Sequence, residues 1–198
     1  MPEPWYSIVS AETRITQGDL IANCPLIGWK EDHQIQLNGA DEAEVLRHSS
    51  EAVLLDAVVM TQACDLEHNK VRHVVLCPHV PLSKFREKWE QAMHRLGQNL
   101  TVKAWANTCN DITAGHSWNQ SFLNRFNNEP RMDLRVVDFH EVHTIPREFL
   151  QALLANRNVS RLRLLPPYRE HLSQGFARFF MRVGLPVGIP KEKLRGAP

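Results

Sequence analysis

The chain has 198 residues, 43% of them hydrophobic and 23% charged, with a net charge of +1. That length can bury a real core and that composition is ordinary for a globular domain, which argues against a chain disordered at rest. The longest apolar runs, Ala52 to Leu55 and Ala57 to Met60, fall far short of the roughly 20 residues of a membrane-crossing helix, so no membrane span is expected.

The opening MPEPWYSIVS lacks a basic stretch followed by an apolar one, so no secretory signal is expected and the cytoplasm is the expected address. Further on, ITQGDLI at 15–21 sets a Gly-Asp turn before apolar residues, the pattern of a short opening strand. Residues 51–62 are a near-continuous apolar run, and VRHVVLC follows a short polar link; two strands paired as a hairpin turning near Leu66 to His68 is the simplest reading. From Pro81 to Leu96, Leu82, Phe85, Trp89, Ala92, Met93 and Leu96 recur at intervals of three and four, and Gly97 stops the run. This predicts an amphipathic helix with a polar face of mixed sign.

Residues 98–130 are rich in Asn, Thr, Ser and Gly, with Trp105, Trp118, Phe122 and Phe126 interspersed. No period holds there for long, so a mobile or partner-contacting insert is expected. Leu134 to Val142 reads as a strand, Pro146 to Asn156 as a short helix with Pro at its start, and Val159 to Leu165 as a strand with Arg161 and Arg163 on one face. The last helix carries an apolar stripe of Tyr168, Leu172, Phe176, Phe179, Phe180 and Val183, ended by Gly184 and Pro186, with Arg178 and Arg182 opposite. Gly175 inside it costs about 1 kcal/mol against Ala and so marks close packing on a neighbour. The whole predicts one α+β domain over 1–190, a small, mostly antiparallel β-barrel-like sheet with packed amphipathic helices, and a basic tail at 191–198.

Three stretches, QGDLI, VVMTQACDLEHNKVRHVVLCP and LRLLPPYREHLSQGFARFFMRVGLP, resemble a group of uncharacterised bacterial proteins that share a Thr-Gln-x-Cys-Asp-Leu motif and a closing helix of this type. The resemblance implies a bacterial or phage-related origin and a stable fold, and brings no activity with it. A weaker resemblance is to the small barrels of MazF/PemK-type toxins, which would set Gly18-Asp19 and Thr61 at comparable places. The Arg-Pro pair of those toxins' RNA-cleaving strand is absent, Asp56-Ala57 standing before the apolar strand, and that departure argues against endoribonuclease activity.

Four well-separated cysteines, Cys24, Cys64, Cys77 and Cys109, read as thiols rather than a disulfide framework. Cys64, His68, Cys77 and His79 are residue types that zinc accepts. A hairpin would leave Cys77 about 23 Å from Cys64 at ~3.3 Å per residue, and no metal or other cofactor is assigned. Cys64 could act as a nucleophile with His68 or His73 as base and Asp65 orienting it, or be a small strand-end residue beside a turn-forming Asp65. Asp19, Asp65 and Glu67 could converge with Thr61 and Gln62 to hold a divalent cation or share acid and base roles, or Asp19 could be a turn residue. No phosphate-binding glycine loop, dinucleotide fingerprint or nucleophile elbow occurs.

Charge is uneven along the chain. Residues 1–67 hold 12 acidic and 3 basic residues, and residues 159–198 hold 2 acidic and 8 basic ones. The basic end either steers a partner or pairs with the acidic one. Arg161, Arg163, Arg169, Arg178 and Arg182, with aromatics from 98–130 for base stacking, form the candidate nucleic-acid-binding set. The expected function is a binding module for nucleic acid or a protein partner, in a bacterial multi-gene system of toxin or phage-defence type. The alternatives are a Cys-dependent hydrolase or nuclease built on Cys64, Asp65, Asp19 and Thr61, and a structural subunit.

Overall fold

A computed structural model describes residues 4–30, 39 and 41–181. In chain order these form β1 (Tyr6–Val9), β2 (Leu20–Trp29), α1 (Glu42–Ser49), β3 (Ser50–Val59), α2 (Ala63–Glu67), β4 (His73–Pro81), α3 (Leu82–Arg95), α4 (Val102–Thr113), β5 (Gln120–Leu123), β6 (Arg135–Asp138), β7 (His143–Pro146), α5 (Arg147–Arg157), β8 (Arg161–Leu164) and α6 (Tyr168–Phe180). The fold is α+β with antiparallel pairing throughout its named strands. Six strands form one sheet in the order β2-β3-β4-β6-β5, with β7 also on β4, and β1 pairs with β8 in a separate ribbon. β2 and β5 stand at opposite ends of this order and do not pair, so among the described residues the sheet is not closed into a barrel.

The apolar run in β3 explains where the core sits. Side chains alternate between the faces of a strand. Ala57 and Val59 join Val74, Leu76, Leu150 and Leu154 in one buried cluster, while Val58 and Met60 join Cys77, Val137, Leu162 and Leu172 in another. β3 and β4 are therefore packed on both faces, one covered by α5 and the other by the β1/β8 ribbon and α6. A strand buried on both sides shows no polar alternation, which is how 57–60 reads in the sequence. Val59 pairs with Leu76 and Val58 with Cys77, which centres the connection on Glu67 and His68. The connection is the short helix α2 rather than a tight turn.

The segment 98–130, expected to be irregular, carries α4 and β5. Thr101 caps α4 by accepting from the Ala104 N–H at 3.0 Å, satisfying a donor that the helix itself leaves unpaired. Trp105 of α4 lies 6.0 Å from Phe85 and 5.2 Å from Trp89 of α3, ring centre to ring centre. Each helix thus covers the other's aromatic side chains. α6 lies where its stripe predicts, with Leu172 buried, while Val183, Gly184 and Pro186 fall outside the described residues. A Cβ at Gly175 would meet the buried Phe139 ring at 3.3 Å, the close packing that a mid-helix glycine implies. No described helix is long and apolar enough to cross a membrane.

Candidate functional site

The acidic start of the chain and its basic end do meet, in the interior. Asp19 is fully buried, at the turn that Gly18 makes with φ +84°. Its Oδ1 accepts from Arg163 Nε at 2.5 Å, and its Oδ2 accepts from Arg161 Nε at 2.9 Å, Arg163 Nη2 at 3.1 Å and the Thr16 N–H at 3.2 Å. Arg161 is itself 5% exposed and spends its remaining donors on the carbonyls of Ser10, Thr13 and Arg14. A buried charge persists only when paired and hydrogen-bonded, and here both signs are. Arg161 and Arg163 do share a face, as the strand reading requires, but that face points at Asp19. Both guanidiniums are held by its carboxylate.

The acid, base and nucleophile candidates are likewise committed to the fold or lie apart. Thr61 is buried, and its Oγ1 accepts from the Val75 N–H at 2.7 Å. Asp65 faces Lys70 at 3.9 Å on the surface. No hydrogen bond or ion pair joins the side chains of Asp19, Thr61 and Asp65, and no group of three or more metal-ligating side chains occurs among the described residues. Cys64 is exposed, and its thiol donates to Gln62 Oε1 at 3.7 Å and Asp65 Oδ1 at 3.8 Å. Those partners are acceptors, and neither His68 nor His73 hydrogen-bonds the sulfur. Cys24 and Cys77 are buried, and burial pushes their thiols up to about 11 and about 12. Faster alkylation of Cys64 than of these two therefore follows from exposure alone.

The remaining arginines separate cleanly. Arg169 pairs with its neighbour Glu170 at 2.6 Å, and Arg182 lies outside the described residues. Arg178 is exposed and has no hydrogen-bond or ion-pair partner among the described residues. It lines a cleft of about 1070 Å³ between α6 on one side and the end of α4 with β5 on the other.

This cleft is built mainly from the segment the sequence could not order. Gly115, with φ +71°, reverses the chain after α4 and leaves room for Arg178, whose Nη2 lies 4.0 Å from where a Cβ would stand. Beyond that turn come His116, Ser117 and the half-exposed Trp118, then Gln120, Ser121 and Phe122 of β5. From α6 come Tyr168, His171 and Arg178, and the Tyr168 ring stacks on Trp5 with centres 4.0 Å apart and planes 13° from parallel. No Asp or Glu lines the cleft among the described residues; Asp111 stands 3.8 Å from His116 just outside it. Aromatic faces, amides, hydroxyls and one uncompensated guanidinium without a lining carboxylate suit an anionic, flat-ringed ligand.

The signal for α4 is present in the sequence, as Trp105, Cys109 and Ile112 fall at helical spacing behind a Thr cap; the Asn and Thr between them mask it. Trp5, His116 and His171 carry no local signal, since they become neighbours only through the tertiary fold. Comparison with protein-family models, with curated proteins and with solved structures returns no match.

Proposed function

We propose that the protein is a binding module whose cleft between α6 and the α4–β5 segment holds a stretch of single-stranded nucleic acid, within a bacterial multi-gene system of toxin or phage-defence type. The observation that carries this is the cleft's lining, in which Arg178 and two histidines stand among aromatic and amide side chains, Trp118 the exposed one, and which among the described residues includes no carboxylate, Asp111 meeting His116 from just outside it. Bases stack on aromatic faces whatever their identity, and a guanidinium neutralises backbone phosphate. The open antiparallel sheet is, in this reading, the platform that holds the two walls apart. An enzymatic role centred on Cys64 has less support, because no base reaches its sulfur.

The test is fluorescence anisotropy of the full chain with short labelled single-stranded RNA and DNA, against a duplex control, across a range of salt. Saturable binding to a single strand is expected, weakening steeply as salt rises. Arg178→Glu should lower affinity about tenfold or more and reduce the slope of log affinity against log salt by about 1. Trp118→Ala should weaken binding with little change in that slope, since stacking is worth about 1–3 kcal/mol per base. Absence of saturable binding at low salt, or equal affinity of Arg178→Glu, overturns the reading and turns the search to a protein partner.

A further inference from the structure

A second pocket, of about 600 Å³, lies between the bulged start of β2 and the end of α5 and shares no lining residue with the cleft. The ladder of β2 with β3 slips between Ile21 and Cys24, and Asn23 takes a left-handed φ of +46° there. Bulges that re-aim backbone groups concentrate beside functional sites. Here the bulge turns the Ala22 and Asn23 carbonyls outward to accept from Arg157 Nη1 and Nη2, each at 2.6 Å, and lets the Asn23 N–H donate to Asp56 Oδ1 at 2.8 Å.

Deeper in, Arg135 Nη2 donates to Asp56 Oδ2 at 2.5 Å and Arg135 Nε donates to His79 Nδ1 at 2.6 Å. An imidazole that accepts at Nδ1 carries its proton on Nε2. His79 lines the pocket, is 5% exposed, and its buried Nε2 has no hydrogen-bond partner. Burial first, and then the Arg135 guanidinium, push its titration down to about 3, against the opposing pull of Asp56. The ring is a neutral donor at ordinary pH.

Charge completes the picture. Among the described residues Asp56 is the one carboxylate in the lining, and it is spent on Arg135. Arg157 is held by carbonyls rather than a carboxylate, and Arg131 at the rim is exposed with no partner among the described residues. Leu20, Met132, Leu154 and Val159 supply apolar wall.

We propose that this pocket binds a small organic oxyanion, an apolar body bearing a phosphate or carboxylate, whose oxygens accept from His79 Nε2–H and from the Arg131 guanidinium. A buried donor without an acceptor is costly, and an anion's oxygen relieves that cost while balancing the two guanidiniums that no carboxylate pairs. The site stands whether or not the cleft binds nucleic acid.

The experiment is calorimetric titration of the full chain with phenyl phosphate, benzoate and, as a neutral control, phenol, alongside NMR detection of histidine ring N–H signals. Saturable binding of one or both anions and none of phenol is expected, and the stronger anion identifies the headgroup. The His79 Nε2–H signal should move on binding. Arg131→Glu should weaken binding about tenfold or more without shifting the melting temperature, as loss of a charge-assisted hydrogen bond implies. Failure of both anions to bind saturably, equal binding of phenol, unchanged affinity in Arg131→Glu, or an unmoved His79 signal overturns the proposal.

Discussion

His79 is the titratable group most displaced by the fold in a direction that matters near neutral pH. Its folded-state value of about 3 lies below the ordinary 6.5, so between the two the unfolded chain takes up a proton that the folded one refuses. The stability it contributes is complete above about pH 6.5 and is lost as the pH falls toward 3. One such proton costs about 1.4 kcal/mol per pH unit across that window. Urea unfolding at pH 7 and pH 5 should therefore show a drop of about 2 kcal/mol from this residue. In His79→Gln that part of the slope should vanish; an unchanged slope would place the acid sensitivity elsewhere. The same residue shows the limit of reading chemistry from spacing. Cys77 and His79 alternate correctly on one strand to share a face, yet Cys77 packs among Val58, Val137 and Leu172 while His79 turns to Arg135.

At the level of elements, helices betray themselves wherever an apolar stripe is long and cleanly stopped. α3 begins and ends within a residue of its predicted span, and α6 begins at Tyr168, where its apolar stripe begins. Gly175 is the sharpest case, because a glycine at the cost of helix propensity must be repaid by contact, and the Phe139 ring is that contact. Gly175→Val should destabilise by about 1–3 kcal/mol in chemical denaturation, since Phe139 is buried and has little room to move. A neutral or stabilising result would mean that the ring shifts freely and that the glycine serves something other than packing. α4 and β5, by contrast, hide in a polar segment. Their stabilisation comes from the aromatic contact with α3 and from pairing with β6, neither of which is visible in a window of the sequence.

Over the whole molecule, the uneven charge along the chain resolves into a clamp. Asp19 joins the start of β2 to β8 through Arg161 and Arg163, across more than 140 intervening residues. Arg161 in turn holds three carbonyls between Ser10 and Arg14. Removing the carboxylate leaves the buried Arg161 and the part-buried Arg163 without their shared partner, so Asp19→Ala should cost about 3–5 kcal/mol by urea unfolding. A cost below about 1 kcal/mol is what a solvated surface pair would give instead. This clamp commits two of the candidate arginines, Arg161 and Arg163, to the interior carboxylate. Of the four candidate arginines that are described, Arg178 alone is exposed with no partner among the described residues.

By itself the sequence determined the α+β class, the pairing of β3 with β4, the amphipathic α3 with its stop, the apolar stripe of α6 and the tight contact at Gly175. These rest on period, turn chemistry and local sterics, which act between residues close in the chain. The tertiary structure decided that among the described residues the sheet stays open, that Arg161 and Arg163 serve Asp19, and that no hydrogen bond or ion pair joins the side chains of Asp19, Thr61 and Asp65. It also decided that Trp5, Arg178 and Gly115 border one cleft, and that His79 meets Arg135 and Asp56. Each of those outcomes depends on which distant partner satisfies a buried charge or hydrogen-bonding group, and side-chain desolvation is settled by neighbours in space rather than in order.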